Sequence, residues 1–460
     1  MVETKSSPRG RAAFSKDWTK GSIIQNLLLL SYPIIILNGL WQVNQILEMI
    51  WVGKLGAASI AGVGVAGFII MLMITVKGGL SMGERAMVAR FIGTGNVAAA
   101  NHVVGQAFII SIAFGAVSAA IGILLTEPIF SLFGLEVNAV TEGVAYLRIM
   151  LIGLVTEAFW ITSFTLMQAS GDSVTPMKIA IFIRAVNAVL CPFLVLGWWI
   201  FPRLGVSGAA IAYIIVMGLG MSICLWVLFT GHTRLQLTLK GFHPNFKIIW
   251  RMLKIGIPAS IMGLGRSFGD LALTWFMAPF GTLAVAAHSL TYRIEMFIRM
   301  PGTSLGIGAG VLVGQNLGAG QPKRASRSGW LALGLAEGFI VICSVILLVW
   351  AENIISIFNV EPDLIKLGSI FLRIATAGYL VMYFVYILQN CISGAGDTMP
   401  PMLITLAMLW VVQLPLAFLL SRFTDMGMYG VRWAIVISFV VGAITFMTYF
   451  WQGRWKRKNI

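Results

Sequence analysis

The chain has 460 residues, of which 58% are hydrophobic and 11% are charged, and its mean hydropathy is +0.90. Soluble proteins carry about 25% charged residues, so this composition excludes an ordinary soluble domain. The formal net charge of +15 could indicate a nucleic-acid partner. The positions of the basic residues favour a membrane orientation signal instead, and we predict no nucleic-acid binding.

Twelve apolar runs of about 20 residues follow one another, and each is long enough to cross a bilayer as an α-helix. We therefore predict an all-α polytopic membrane protein with 12 transmembrane helices, called spans 1 to 12. The predicted spans lie near residues 27–51, 58–83, 101–125, 144–168, 176–199, 207–229, 248–277, 282–311, 328–350, 367–390, 402–420 and 430–451.

Basic residues lie mostly on one side of these spans. With a cytoplasmic N-terminus, 20 Lys and Arg residues fall on the cytoplasmic side and 5 in outer loops. The rule that positive loops stay inside then predicts that both termini are cytoplasmic, with a basic face that suits anionic lipid. The cytoplasmic set includes the N-terminal Lys5, Arg9, Arg11, Lys16 and Lys20 and the loop residue Lys240, and the outer set is Lys54, Arg203, Lys366, Arg422 and Arg432.

The second half of the chain repeats the first at an offset of 225 residues, without a gap, from residue 33 to residue 206. Pro33 matches Pro258, Arg148 matches Arg373, and Gly171-Asp172 matches Gly396-Asp397. Duplicated hydrophobic halves are typical of membrane transporters. Because each half has an even number of spans, we predict two six-helix bundles related by a pseudo-twofold axis along the membrane normal. They are an N-lobe (1–230), a cytoplasmic linker (231–247) and a C-lobe (248–460), with a cavity between the lobes that opens to either side.

Charged side chains inside spans cost about 2.5–3.5 kcal/mol each on insertion scales, so they usually face a cavity or a partner. Most of them here are not matched across the repeat: Glu48 matches Leu273, Glu157 matches Met382, and Arg266 matches Trp41. Because scaffold roles tend to survive duplication, this divergence favours a functional role. Arg148 and Arg373 match each other, and we interpret them as structural. The charges are Glu48, Lys77, Glu157, Arg184, Arg266, Asp270, Arg293, Glu295, Arg299 and Glu337.

Glu48 has no obvious basic partner at its depth, so it is the leading candidate for a protonatable coupling residue. Two ion pairs between these charges remain as alternatives to a functional role. Arg266 and Asp270 are four residues apart on one helix and can form an ion pair, and Arg184 can pair with Glu157 by depth. Glu337 stays unassigned. No metal-binding spacing and no catalytic acid pair is present in the sequence, so we predict neither a metal site nor an enzyme.

Five segments together resemble the multidrug and toxin extrusion (MATE) family over roughly residues 25–450. The resemblance implies a twelve-helix, two-lobe exporter without a bound cofactor, driven by inward H⁺ or Na⁺, usually for amphipathic organic cations. The five segments are residues 48–56 (EMIWVGKLG), 89–96 (ARFIGTGN), 278–287 (APFGTLAVAA), 312–320 (LVGQNLGAG) and 393–398 (SGAGDT).

The family's coupling residues map onto this chain only in part. The family's first-span Asp falls on Glu48, and its fifth-span Asn and Asp fall on Asn187 and Cys191. The acids that NorM-like members carry in span 10 are absent, and their span 7 Glu falls near Arg266. The resemblance therefore implies a DinF-like or related bacterial or archaeal member in the cytoplasmic membrane, coupled to H⁺ through Glu48, with Glu157 and Asn187 as further candidates.

The expected cargo is an amphipathic small molecule, a cation by family default. Spans 7 and 8 are net basic, however, with Arg266, Arg293 and Arg299 against Asp270 and Glu295. An anionic or zwitterionic cargo is therefore a second expectation, and Arg184 joins these five residues as a candidate for the cargo cavity. Na⁺-coupled export and flipping of a lipid-linked precursor are the alternative functions. We expect a monomer in contact with membrane lipid.

Overall fold

The computed structural model describes residues 16–131, 137–199, 201–238, 243–358, 360–458 and 460. The predictions for Lys5, Arg9, Arg11 and Lys240 lie outside these residues. Within the described ranges, 12 helices are long and apolar enough to cross a membrane, which confirms the predicted fold class. Spans 1 to 12 are Ile23–Gly53, Ala57–Gly93, Val97–Leu124, Val137–Ser170, Val174–Leu196, Gly205–Thr230, Phe246–Met277, Thr282–Gly318, Pro322–Val349, Pro362–Gly394, Met399–Arg422 and Met428–Gln452.

Several helices run beyond the apolar runs that predicted them. Span 2 was expected to end near residue 83 and continues to Gly93, because a helix ends where the backbone turns and not where hydropathy falls. The turn comes at Gly95, whose φ is 75°. Span 7 continues into a 3₁₀ turn, Ala278–Phe280, and span 11 contains a π-helical stretch, Ala407–Gln413.

The helix bounds reproduce the 225-residue repeat. Span 8 begins and ends 225 residues after span 2, and span 9 stands in the same relation to span 3. Two short helices that the sequence did not predict, Thr126–Ser131 and Ala351–Ser356, are also 225 residues apart. The offset therefore gives an equivalent residue in the other half for each position in these elements.

The repeated Gly-Asp turns lie between spans 4 and 5 and between spans 10 and 11. Gly171 and Gly396 have φ values of 96° and 87°, a region that favours glycine. Asp172 Oδ1 accepts a 3.0 Å hydrogen bond from the Thr175 backbone amide, in the first turn of span 5. The two turns thus share their glycine conformation, whereas Asp397 Oδ2 accepts a hydrogen bond from the Tyr449 hydroxyl.

The described chain forms two compact units. The first runs from Pro33 to Gly256 and includes residues 16–19. The second consists of Lys20–Tyr32 and Ile257–Ile460. The boundary thus passes through spans 1 and 7, at Pro33 and one residue before the equivalent Pro258. The N-lobe, linker and C-lobe bounds given above remain a prediction.

The glycines of span 8 pack closely against span 10 in the second unit. A Cβ added to Gly310 would lie 2.7 Å from the carbonyl oxygen of Asn390, and one added to Gly302 would overlap the Tyr383 ring. Small residues at these positions let the two backbones approach closely.

Candidate coupling and cargo sites

Glu48 on span 1 forms a hydrogen bond with Tyr146 on span 4. The Tyr146 hydroxyl donates to the Glu48 carboxylate over 2.8 Å, and the Tyr146 side chain is buried. Among the described residues, no Lys, Arg or His lies within ion-pair distance of Glu48. The carboxyl therefore has a neutral direct partner, which favours the charged form less than a directly paired cation would.

Glu157 on span 4 has a similar tyrosine partner. The hydroxyl of Tyr213 on span 6 donates to Glu157 over 2.9 Å. Arg184 does not form the ion pair with Glu157 that depth allowed; its guanidinium carbon lies 5.8 Å from the centroid of the Tyr213 ring instead. One Arg184 nitrogen, Nη1, is buried without a hydrogen bond, so the side chain keeps an unused donor.

Asn187 on span 5, the third predicted coupling residue, bonds to Asn44 on span 1. The Asn187 side-chain amide donates to Asn44 Oδ1 over 2.8 Å, and Asn187 Oδ1 is buried without a partner. Arg184 interacts electrostatically with both Glu48 and Glu157. These groups form one cluster in the first unit, the unit 1 cluster, whose members are Asn44, Glu48, Tyr146, Glu157, Arg184, Asn187 and Tyr213.

A buried ion pair in the same unit was missed by the sequence analysis. Lys77 Nζ lies 2.8 Å from Glu84 Oε1, and both side chains are almost fully buried. Lys77 also donates to Thr162 and Ser81, over 2.6 and 3.1 Å. Glu84 was overlooked because it lies near the cytoplasmic end of span 2, beside Arg85. The sequence spacing could have revealed this pair, because Lys77, Ser81 and Glu84 lie at i, i+4 and i+7 on one helix face.

Arg266 and Asp270 on span 7 do not pair with each other. Arg266 donates a short hydrogen bond to Gln389 on span 10, and its guanidinium carbon lies 4.8 Å from the centroid of the Tyr386 ring. Asp270 accepts a 2.9 Å hydrogen bond from the hydroxyl of Tyr292 on span 8. The predicted contact along the helix is thus replaced by contacts to neighbouring helices.

Arg299 on span 8 lies between two of these tyrosines. It donates to the Tyr386 hydroxyl over 3.1 Å, and its guanidinium carbon is 5.5 Å from the Tyr292 ring centroid. Arg293, six residues earlier, is exposed on the other face of the helix and has no polar partner among the described residues. The structure therefore groups Arg299 with Arg266 and Asp270 and leaves Arg293 apart.

Glu295 lies beside a second arginine that the sequence analysis assigned to an outer loop. Arg432 is 2% exposed in the first turns of span 12, and its Nη1 lies 3.3 Å from His288 Nδ1. Glu295, Tyr379 and Arg432 line a cavity of about 10 Å³, the space of one water molecule. Span 12 runs from Met428 to Gln452, and Arg432 is one of its buried residues, so its assignment to an outer loop was wrong.

The second unit thus holds its own group of polar side chains, the unit 2 cluster, which comprises Arg266, Asp270, Tyr292, Glu295, Arg299, Tyr379, Tyr386, Gln389 and Arg432. Its formally charged side chains are three arginines and two acids, which gives a formal charge of +1. Those of the unit 1 cluster are two acids and one arginine, a formal charge of −1. The two clusters therefore differ in the sign of their charge.

Most of the residues that make these contacts have apolar residues at the equivalent positions of the other half. The equivalents of Glu48 and Tyr146 are Leu273 and Phe371, which belong to one hydrophobic core cluster in the second unit. The equivalents of Lys77 and Glu84 are Gly302 and Ala309. Each unit has therefore acquired its own polar chemistry on a shared helix framework.

One pair of contacts is duplicated. Arg148 binds Glu127 at 2.8 Å, and the equivalent Arg373 binds Glu352 at 3.2 Å. Each bridge joins the span to the short helix that precedes it, and all four side chains are exposed. This agrees with the structural role predicted for Arg148 and Arg373.

Comparison with known proteins identifies the chain. The sequence model of the MatE family matches residues 33–193 and 258–419, so one match begins at each of the two equivalent prolines. These matches cover more than half of the sequence.

The chain belongs to the MatE family.

Members of the MATE family are transporters, so this protein is a multi-pass membrane transporter and not an enzyme. It is 27% identical to "Probable multidrug resistance protein YoeA" of Bacillus subtilis (strain 168), over 96% of each chain. It is 24% identical to "Probable multidrug resistance protein NorM" of Thermotoga maritima, over 95% of this chain and 94% of that one. These matches do not distinguish DinF-like from NorM-like members, so the DinF-like assignment stays a prediction.

A solved structure of a MOP superfamily transporter from Pyrococcus furiosus Vc1 (DSM3638) has the same fold. It superposes with a TM-score of 0.90 and covers 99% of this MATE chain and 100% of its own, at 22% identity. That protein is described as having a binding pocket of reverse polarity that suggests a different function. Among the residues that the structure of the present chain describes, no group of three or more His, Cys, Asp or Glu is placed to hold a metal ion.

Proposed function

We propose that this MATE transporter is an antiporter that exports amphipathic small molecules by alternating access and takes up H⁺ in return. The observation that carries the proposal is the Glu48–Tyr146 pair, a carboxyl inside a span whose direct partner is neutral. A carboxylate held by a cation in an ion pair resists protonation, whereas one held by a hydroxyl can load and release a proton. Export is also supported by the relatives named as multidrug resistance proteins.

Glu157 is the second coupling candidate, because it repeats the arrangement of a carboxyl bonded to a tyrosine. Arg184 interacts with both carboxyls, so protonation of one changes the electrostatic environment of the other. Asn187 and Asn44 line the same cluster with neutral amides. The alternative, Na⁺ coupling, needs several oxygen ligands around one point. In the second unit, Asp270 accepts a hydrogen bond from Tyr292, and Glu295 lines a cavity of about 10 Å³ with Tyr379 and Arg432.

The cargo class is the second element of the proposal. An amphipathic cation is the default, and the acidic unit 1 cluster suits it. The unit 2 cluster favours an anionic or zwitterionic cargo as the second candidate, because Arg266 and Arg299 are held beside tyrosine rings. Planar guanidinium groups bind carboxylate and phosphate well. The reverse-polarity pocket described for the Pyrococcus transporter makes this candidate worth testing directly.

The cargo test is efflux from proteoliposomes that contain only this protein, under an imposed ΔpH. One set of vesicles is loaded with a cationic dye and a matched set with an anionic dye. If the cargo is a cation, the cationic dye should leave the vesicles, and the double variant Arg266→Gln with Arg299→Gln should export it equally well. If the anionic dye leaves instead, and the double variant loses this efflux, the cargo is anionic or zwitterionic. Efflux of neither dye, under ΔpH or under ΔNa⁺ imposed in its place, would favour the remaining alternative, a flippase of lipid-linked precursors.

The proposal also covers the oligomeric state, the membrane and the orientation of the protein. We place the protein as a monomer in a bacterial or archaeal cytoplasmic membrane, with both termini cytoplasmic. We assign it to the DinF-like side of the family because Glu48 keeps an acid in span 1, while residues 367–390 of span 10 carry no acid.

A further inference from the structure

A basic cavity lies where span 12 ends and span 9 begins, within the second unit. Its volume is about 630 Å³ and it is open to the outside. Three cations and no acid contribute to its wall, which is lined by Pro322, Gln452, Gly453, Arg454, Lys456 and Arg457. None of these residues takes part in the coupling or cargo clusters.

The segment that carries the cations is held in place by a buried tryptophan. Trp455 is fully buried, its ring stacks on Phe450 with centroids 4.7 Å apart, and its Nε1 donates to the Phe450 carbonyl over 3.0 Å. Lys458 then forms a 3.1 Å ion pair with Asp397. Because the chain is fixed on both sides of Lys456 and Arg457, the cavity is a preformed feature and not a loose tail.

The cavity also lies where a lipid headgroup would be found. It directly follows the last turn of a membrane span, on the side that the positive-inside rule assigns to the cytoplasm. An exposed apolar stripe on span 12 leads toward it, formed by Ile444, Met447 and Trp451, which are 55%, 38% and 79% exposed. Tryptophan is enriched at the level of the headgroups, and residues three and seven apart share a helix face.

We propose that this cavity binds the headgroup of an anionic phospholipid from the cytoplasmic leaflet, with the phosphodiester held by Arg454, Lys456 and Arg457. The acyl chains lie along the stripe of Ile444, Met447 and Trp451. Arginine binds phosphate oxygens through two parallel hydrogen bonds, and lysine adds a point charge. The second unit would thereby carry a specific anionic lipid, beyond the general attraction of a basic face.

The test is native mass spectrometry of the purified full-length protein with equimolar phosphatidylglycerol and phosphatidylcholine. The site variant is Arg454→Gln, Lys456→Gln and Arg457→Gln together. The matched control is Lys247→Gln, Arg251→Gln and Lys254→Gln, which removes three exposed cations from the same predicted side of the first unit. A third variant, Trp455→Ala, keeps every cation and removes the anchor.

The wild type should prefer phosphatidylglycerol to phosphatidylcholine. In the site variant, the ratio of bound phosphatidylglycerol to bound phosphatidylcholine should fall about fivefold for each cation removed. The control should keep the preference, and Trp455→Ala should reduce it. Equal losses in the site variant and the control, or an unchanged preference in Trp455→Ala, would mean diffuse attraction and overturn the site. Displacement of the lipid by an equal concentration of inorganic phosphate would make free phosphate the ligand and overturn the lipid assignment.

Discussion

The Tyr146 hydroxyl donates a 2.8 Å hydrogen bond to the Glu48 carboxylate, and the equivalent residues of the other unit, Phe371 and Leu273, are both part of a hydrophobic core. The acid and its donor are therefore present together in one half and absent together in the other. The exposed Arg148–Glu127 and Arg373–Glu352 pairs, by contrast, are present in both halves. This asymmetry supports a role for Glu48 in transport.

Tyr146→Phe should slow transport without abolishing it. The substitution removes the hydrogen bond and keeps the carboxyl, and a hydrogen bond to a charged group contributes about 1.5–3 kcal/mol. We expect ΔpH-driven efflux to fall on the order of tenfold at the lower end of that range. Efflux rates in proteoliposomes measure this, with Phe371→Tyr, which adds a hydroxyl at the equivalent position, as the control. A rate equal to that of the wild type would contradict the role given to Tyr146.

Lys77→Met should strongly destabilise the protein, because it leaves the buried carboxylate of Glu84 without its cation. Removing one partner of a buried pair costs about 3–5 kcal/mol, whereas replacing both by apolar groups is often close to neutral. The double variant Lys77→Met with Glu84→Leu should therefore recover much of the lost stability. Thermal unfolding in detergent measures both changes.

Arg148→Gln is the matched control for that buried pair. Its ion pair with Glu127 is exposed, with 42% and 67% of the two side chains accessible. Exposed pairs contribute about 0–1 kcal/mol, so the unfolding temperature should barely change. A loss as large as that of Lys77→Met would show that burial does not distinguish the two pairs.

Asp172→Asn should stabilise the protein at neutral pH. Burial raises the pKa of the Asp172 carboxyl above its ordinary value of 3.8, and Oδ2 of this residue is buried without a hydrogen bond. A group with a raised pKa favours the folded state at low pH, and this contribution is lost as the pH rises through the folded pKa. Asparagine can still cap Thr175 and carries no charge.

The stabilisation by Asp172→Asn should therefore be largest near about pH 8 and shrink as the pH falls toward about 4. Unfolding temperatures across this range measure it. Asp397→Asn is the control at the equivalent position, where the carboxylate binds Lys458 at 3.1 Å and the Tyr449 hydroxyl at 2.6 Å. That variant should be less stable than the wild type at neutral pH. A loss of stability in both variants would contradict the difference between the two turns.

Gly310→Ala should destabilise the protein by about 1–3 kcal/mol, the usual cost of overpacking. The new Cβ would lie 2.7 Å from the Asn390 carbonyl oxygen, and a backbone atom cannot rotate away as a side chain can. Gly334→Ala on span 9 is the control, because nothing lies within 4 Å of its added Cβ. It should be neutral or slightly stabilising, since alanine favours helix. Equal unfolding temperatures for the two variants would refute the close packing of spans 8 and 10.

Most of the fold was predictable because apolar length, loop charge and the repeat are strong signals over many residues. The number of spans and the 225-residue offset were predicted from these signals alone. The missed elements, Thr126–Ser131 and Ala351–Ser356, are too short for hydropathy to distinguish from a loop.

The candidate sites were predicted less completely, because sequence shows which charges are costly in a membrane but not which neutral groups meet them. Tyr146, Tyr213 and Asn44 were missed for this reason. The Arg266–Asp270 pair was allowed by helix spacing, yet Gln389 and Tyr292 on neighbouring helices offered alternative partners. Arg432 was assigned to a loop because its burial depends on the packing of span 12.

The most direct test of the central claim is dye efflux from proteoliposomes under ΔpH and ΔNa⁺, imposed separately, for the wild type and Glu48→Gln. The vesicles hold whichever of the two dyes the wild type exports. Our account predicts that ΔpH alone drives efflux by the wild type, that ΔNa⁺ does not, and that Glu48→Gln abolishes it while leaving the protein folded. Efflux driven only by ΔNa⁺, or ΔpH-driven efflux that survives in Glu48→Gln, would contradict proton coupling through this residue.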